Sequence, residues 1–533
     1  MKRDARPKTR NPVGWGYQED AATTKECDKV LASLSEQFDL KRFDKSDALA
    51  AENIQLSPSR IVAPEKLRSL VSVSHEARLL HAVGRSFRDL AKLRESIPLT
   101  APDAVATPQT HEDLERVLEW AYANDYAIIP FGGGSSVVGG VNPEGMESFP
   151  AVISVDMQGM NRVLSVSKGE RIVHAEAGVL GPDLDAALRP HGLHTRYSPQ
   201  SFHHSTLGCW VATRGAGHNS TVHQKIEERV QAVSGILCDG RTFSTRPLPA
   251  TSVAIDPKSY WTGSEGMLGF ITSARLRVYP LPEHRGFRGI AFPTFVQALE
   301  AAREIVQTDL FPVQLRILDE DENIQTARLA GVHPHRRALL ILGDESTLPV
   351  VEERLELFSR IAAQHGGIRD ESASRLLREW VRLFFRQPYI RDFLLQWNMV
   401  VDTFETAIPW NSSAEFYRAI KDITRQTLED TLGAGHVGCR VTHAYSDGVC
   451  LYFSFYGPGS RDKLLQQWGR IKHAVSEAVV REGGTISHHH AMGRDHSAYA
   501  KQEFPHIHVS AIRDLKRSLD PKGLMNPGLW ISG

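Results

Sequence analysis

No window of about 18 uncharged apolar residues occurs in the 533-residue chain, so a membrane-spanning helix is excluded on length alone. The first residues, MKRDARPKTRNPVGWGY, are basic but lack the apolar stretch of a secretory signal. Cysteine is scarce: Cys27, Cys209, Cys238, Cys439 and Cys450 are an odd set of five without Cys-x-x-Cys spacing, which argues against a disulfide framework and a zinc ribbon. A reducing compartment suits such a chain. Net charge is also missing, with Lys+Arg 62 against Asp+Glu 63, so the broad phosphate neutralisation used by nucleic-acid binders has no source here. Any cationic site must be local. No internal repeat or low-complexity tract appears, and the ending Ile531-Ser532-Gly533 is not a Ser-Lys-Leu type address. The expectation is a cytoplasmic protein that is soluble or at most peripheral on a membrane.

What is present points to more than one domain, because a chain of this length exceeds the size at which one hydrophobic core keeps growing. Residues 1–97 read as irregular and then helical: Pro64 opens a stretch in which Leu67, Leu70, Val71, Leu79, Val83, Phe87 and Leu90 fall near helical spacing. From 98 to 282 short β-rich runs alternate with glycine loops, including AIIPF, AVISVDM, RIVHAEAGV and MLGFITSARLRVYP. Pro280 and Pro282 close this unit. From 283 to 456 helices such as FVQALEAAREIV mix with strands such as VQLRIL, RALLILG and GVCLYFSFYG, and 457–533 reads as helical around a histidine run. The fold class expected is α+β.

That run, His488-His489-His490, makes little sense as packing. Histidine titrates nearest neutrality, so such a cluster can keep one ring as a base while the others donate hydrogen bonds. A metal site, with His496, His506 and His508 as further ligands, and a solvated loop are the competing readings. Earlier, Gly132-Gly133-Gly134 follows a strand and precedes Ser135 and Ser136. Backbone N–H groups can converge there into an anion-binding concavity suited to a diphosphate, without the Lys of a Walker loop or the spacing of a Rossmann fingerprint. TGSEGMLGFIT (262–272) is a second such loop, and SPQSFHHSTLGCWVATRGAGHNS (198–220) lies between them.

Three loops in this order resemble the FAD-binding domain of the vanillyl-alcohol oxidase/p-cresol methylhydroxylase (PCMH-type) superfamily. Within it the chain resembles the alkylglycerone-phosphate (alkyldihydroxyacetonephosphate) synthases. The resemblance runs from GWGY at 14–17 through PFGGGSS, STLGCWVATRGAG, TGSEGMLGFIT, VQLRILD, YIRD, FETAIPW, CRVTHAY and CLYF to GGTISHHH. It implies a PCMH-type domain of two α/β subdomains over 98–282, an α+β substrate-binding cap with an antiparallel sheet over 283–456, and helical terminal regions.

For FAD, the resemblance implies binding by Pro130, Phe131, Gly132, Gly133, Gly134, Ser135 and Ser136 at the diphosphate. It implies further contacts from Gln200, Ser201, Phe202, His203, His204, Ser205, Thr206, Thr213, Arg214, Gly215 and Ala216, and from Glu265, Gly266, Met267, Leu268, Gly269, Phe270 and Ile271. Members with covalent FAD often carry a histidine where Ser135 and Ser136 stand, so non-covalent FAD is expected. The resemblance further implies Tyr452 as a proton-transferring tyrosine, Arg391 as substrate-binding, Arg316 as required for activity, and His488, His489 and His490 as catalytic. The implied reaction replaces the acyl group of acyl-dihydroxyacetone phosphate by a long-chain fatty alcohol through a flavin N5 adduct, without net redox. A homodimer and no nucleic-acid partner are expected.

The residue types suit this chemistry independently. A neutral imidazole can take a carbon-bound proton near pH 7, and arginine suits a phosphate better than lysine does. The chain departs from the family at Gln200-Ser201-Phe202-His203-His204, at Ala491-Met492-Gly493-Arg494, and at LDPKGLMNPGLW. The last resembles FAD-linked D-2-hydroxyacid (lactate or glycolate type) dehydrogenases or oxidases, the alternative reading. That family pairs an acid with histidines at a metal where this chain has Ser487-His488-His489-His490, so no metal is expected. Leu377, Trp380, Val381, Phe384 and Phe385 form an apolar stripe beside Arg375, Arg378, Arg382 and Arg386, which reads either as a cap-domain helix or as a contact with an anionic membrane.

Overall fold

The computed structural model describes residues 8–39, 45–46, 49–333, 335–370 and 373–531, with side chains of 373–382 outside the description. Its architecture is α+β, as expected, and rests on three main sheets. In the first, β1 (Val71–Ser72), β2 (Ala104–Ala106), β3 (Ala127–Phe131) and β4 (Val152–Asp156) lie in the order β1-β2-β4-β3, with the last three parallel. Parallel strands are covered on both faces, which is why AIIPF and VISVD read as nearly continuous apolar runs. Leu524 O accepts from Ile128 N and Asn526 N donates to Ile128 O, so the C-terminal segment covers the edge at β3.

The second sheet is antiparallel: β5 (Val163–Ser167), β6 (Ile172–Glu176), β8 (Val230–Ile236), β9 (Thr242–Ser244) and β10 (Phe270–Arg277), in the order β5-β6-β10-β8-β9. A short pair, β7 (Leu193–His194) with β11 (Tyr279–Pro280), flanks it. The third is a seven-stranded antiparallel sheet of β12 (His284–Phe292), β13 (Gln314–Leu318), β14 (Ala338–Ser346), β15 (Ile368–Arg369), β16 (Met399–Pro409), β17 (His436–Ala444) and β18 (Gly448–Pro458). Their order is β15-β12-β14-β13-β17-β18-β16. Helices Phe295–Val306, Val351–Gln364, Trp410–Leu432 and Leu464–Arg481 pack one core against this sheet.

The expected helical stretch after Pro64 is broken. It forms a 3-10 turn at Glu65–Leu67, strand β1, and helices His75–Leu80 and Phe87–Arg94. Ser74 and Ser86 accept from Ala77 N and Asp89 N as side-chain caps, each worth about 1 kcal/mol. The near-helical spacing of the apolar residues is a coincidence of two cores: Leu67, Leu70 and Val71 pack with the first sheet, whereas Leu79, Val83, Phe87 and Leu90 join the core of the third. Among the described residues no helix is long and apolar enough to cross a membrane.

Candidate active site

A cavity open to solvent lies between the glycine loops and the third sheet. One wall is the end of β3 and the loop after it. Gly133 is pressed against the middle loop: a Cβ there would overlap the His204 carbonyl oxygen and lie 2.8 Å from Ser205 Cα. Gly134 has φ +63°, a left-handed conformation that favours glycine. Beside them Arg10 Nη2 donates to Gly133 O at 2.6 Å, while its Nη1 is buried with no hydrogen-bond acceptor. The same Nη1 lies 3.7 Å from Asp156 Oδ2, and a side-chain-free cradle with a guanidinium beside it fits an anionic diphosphate, so the residues present suit FAD. Gly133→Ala is expected to cost about 1–3 kcal/mol of stability by overpacking and to yield protein with little yellow colour. Unchanged Tm and colour would show that the loop has room.

The sequence-expected cofactor residues divide by position. Pro130, Phe131, Gly132, Gly134, Ser135 and Ser136 line the cavity, as do Gln200, Ser201, Ser205, Thr206, Thr213, Gly215 and Ala216, and Glu265, Gly266, Gly269, Phe270 and Ile271. Gly133, Phe202, His203, His204, Arg214, Met267 and Leu268 stand behind this wall. His204 is buried against Trp15, with ring centroids 4.9 Å apart. Phe384 reaches the cavity and His218, and Phe385 meets His203. These two aromatics of the proposed stripe turn inward, while Arg375, Leu377, Arg378, Trp380, Val381 and Arg382 lie outside the described side chains.

The opposite wall is built by strand register. Glu405 on β16 pairs with Tyr452 on β18, which pairs with Arg440 on β17. Directly opposed residues present side chains on one face. Arg316 lies two residues before Leu318, the partner of Arg440, and so shares that face. The Arg440 guanidinium sits 4.4 Å over the Tyr452 ring and donates to Glu322 at 2.7 Å. Arg316 is buried and donates to His218 O at 2.6 Å. Burial, and then the charge of Arg440, pull its pKa down to about 9. Arg391 is elsewhere: it donates to Arg85 O and Asp392, and lies 5.7 Å from the Trp15 ring, which lines the cavity.

Glu405, given no role from sequence, organises the histidine run. Its carboxylate accepts from the backbone N–H groups of His488, His489 and His490 at 2.7, 3.0 and 2.9 Å, and from Ser487 Oγ at 2.8 Å. Burial opposes its ionisation. The imidazoles and backbone donors outweigh that, holding its carboxyl well below the usual range. The motif's missing acid is thus supplied by β16, and donor-type atoms of Glu405, His489 and His490 lie within 4.8 Å of one another. Both carboxylate oxygens are occupied by hydrogen bonds, the role of an anchor.

His489 and His490 line the cavity, and His489 lies nearly parallel to Tyr452 at 5.9 Å. Burial lowers the pKa of all three histidines, His490 to about 3, so neutral rings prevail near pH 7. His488 stands behind, its Nδ1 3.0 Å from His489 Nδ1. His496 bonds the Ala491 carbonyl, and His506 and His508 are exposed. Glu265, half-buried, with desolvation pushing its pKa up to about 7, accepts from Met492 N and Gly493 N. It joins the third glycine loop to the histidine loop.

Residues 102–246 match a family model described as an FAD binding domain, and 281–529 one described as FAD linked oxidases, C-terminal domain. An alkyldihydroxyacetonephosphate synthase of Dictyostelium discoideum is 30% identical over 515 residues, 91% of this chain and 83% of that protein. A solved structure of an alkyldihydroxyacetonephosphate synthase superposes with a TM-score of 0.81 at 26% identity, covering 97% of this chain and 98% of that one. A probable mitochondrial D-lactate dehydrogenase of Danio rerio is 24% identical over 84% of this chain and 88% of that protein.

Proposed function

Because the chain belongs to the alkyldihydroxyacetonephosphate synthase family, we propose the following roles for its residues in an FAD-dependent exchange of the acyl group of acyl-dihydroxyacetone phosphate for a long-chain alcohol. The observation that carries the assignment is the cavity wall on which Arg316, Arg440, Tyr452 and His489 meet, facing the glycine loops. Arg316 and Arg440 supply fixed positive charge for the phosphate head group. Arg391 acts indirectly, bracing Trp15 and the backbone at Arg85. The neutral imidazole of His489 takes the proton from C1, and Tyr452, stacked beside it, holds the reacting end of the substrate.

Pro130 to Ser136 and the two following loops hold FAD without a covalent bond. When bound, the flavin supplies a ring that can accept and return electron density at the substrate carbon. The C1–O bond to the acyl group breaks, the fatty acid leaves as a carboxylate, the alcohol oxygen bonds to C1, the alcohol's proton replaces the one taken from C1, and one proton is released in net. Phe384 on the cavity wall offers apolar surface to a long chain. Peripheral membrane contact and a homodimer belong to the same proposal.

Mixing the yellow protein with palmitoyl-dihydroxyacetone phosphate and hexadecanol is expected to give the ether and free palmitate, and acid precipitation should leave the flavin in the supernatant. Stable flavin bleaching by D-lactate or glycolate alone, without ether formation, would replace this reading by the hydroxyacid one.

A further inference from the structure

The exchange liberates a proton on every turnover, and His489, on the wall of the cavity in which this happens, is the first of a line of polar groups leading away from it. A route out is visible on the far side of the histidine run. Tyr445 lies in the turn between β17 and β18, held by its N–H donating to Gly448 O at 2.8 Å and its carbonyl accepting from Trp410 Nε1 at 2.8 Å. It lines a second, outward cleft with Asp447, Thr485, Gln502 and Glu503, separate from the reaction cavity. Its hydroxyl oxygen is 2.7 Å from His488 Nε2. His488 Nδ1 is in turn 3.0 Å from His489 Nδ1, and His489 lines the reaction cavity.

We infer that His489, His488 and Tyr445 form a proton relay carrying the proton released by the exchange from the reaction cavity to the outward cleft. The inference rests on the exchange reading above. As His489 receives the substrate proton on its Nε2, its Nδ1 proton passes to His488 Nδ1. The His488 Nε2 proton passes to the tyrosine oxygen, and the tyrosine O–H proton passes to water in the cleft. Each group gains one proton and loses one, so no charge accumulates.

The surrounding charges favour passage over storage. Glu405 Oε2, 3.4 Å from His489 Nδ1, attracts the proton into the entry ring. Lys225, whose Nζ donates to the His488 carbonyl at 2.7 Å, repels charge that would rest on the middle ring. The His443 ring packs 4.9 Å from His488 while its Nε2 is bonded to Gly217 O, which leaves it off the line. Tyr445 meets neither cavity nor cofactor loops and is therefore a positioning and relay residue.

Tyr445→Phe in the FAD-loaded enzyme keeps the ring and removes only the hydroxyl. It is expected to lower kcat for ether formation about 10-fold, less than the 10²–10⁴-fold of a group that itself meets the substrate. KM for both substrates and flavin content should stay unchanged, and millimolar imidazole should restore part of the rate. In the unsubstituted enzyme, rate plotted against D2O fraction should curve, because several protons move together. An unchanged kcat in the variant, a loss expressed in KM or flavin content without imidazole rescue, or a straight D2O plot would each overturn the relay. Failure of the unsubstituted protein to form ether removes the exchange reading and the relay with it. Ether formation that Tyr445→Phe leaves untouched removes the relay alone.

Discussion

His489→Ala is expected to lower ether formation by about 10²–10⁴-fold, the usual contribution of a positioned proton-transfer group, while the protein stays yellow. The ring stands on the wall opposite the glycine loops, so its removal opens space beside Tyr452 without touching the cofactor cradle. Because burial pushes its pKa below the ordinary 6.5, the base stays neutral into mildly acidic solution. The acid limb of kcat/KM should therefore fall below pH 6.5, a shift that a solvated imidazole would not give. Loss of flavin together with activity in the alanine variant would make the ring structural instead.

The second large effect belongs to Glu405→Gln. The amide has the shape of the carboxylate but offers one acceptor oxygen and one NH2 group where two oxygens now face four donors. At least one buried N–H loses its partner, at about 1–3 kcal/mol, and the loop carrying all three histidines loses its anchor. Ether formation should fall at least about 100-fold, with a lower denaturant midpoint at pH 8. The pH dependence has a definite sign. A carboxyl whose folded pKa is depressed contributes stability above its unfolded value near 4.5 and loses it as pH falls through the folded pKa. The difference in midpoint between parent and variant should therefore be full at pH 8 and shrink in strong acid. A constant difference across that range would mean that the charge is not what holds the loop.

The glycine loop and the histidine run could be singled out from sequence because both are local. Three glycines after AIIPF and three consecutive histidines are legible within a few residues. What escaped was assembled by register. Glu405 reaches the histidines from 83 to 85 positions earlier, and Arg440 reaches Tyr452 across a strand pair. The motifs FETAIPW and CRVTHAY were visible as strings, but only the pairing Glu405–Tyr452–Arg440 turns alternate residues of three strands into one surface. The expectation of a metal-free site leaned on the motif having no acid of its own, and the sheet provides one. Arg391 failed to reach the cavity for the converse reason: YIRD fixes its neighbours along the helix Ala373–Leu395, and Asp392 and the backbone of Arg85 claim its guanidinium.

Glu265 gives the arrangement a further property. One carboxylate from the third glycine loop holds the two backbone N–H groups that follow Ala491, so the segment that cradles the flavin and the segment that carries the base cannot loosen independently. Order in the glycine loop and order in the histidine loop are thereby linked through one side chain. A ligand that steadies the histidines through this contact would raise the affinity for the flavin by the same factor with which the flavin favours that ligand.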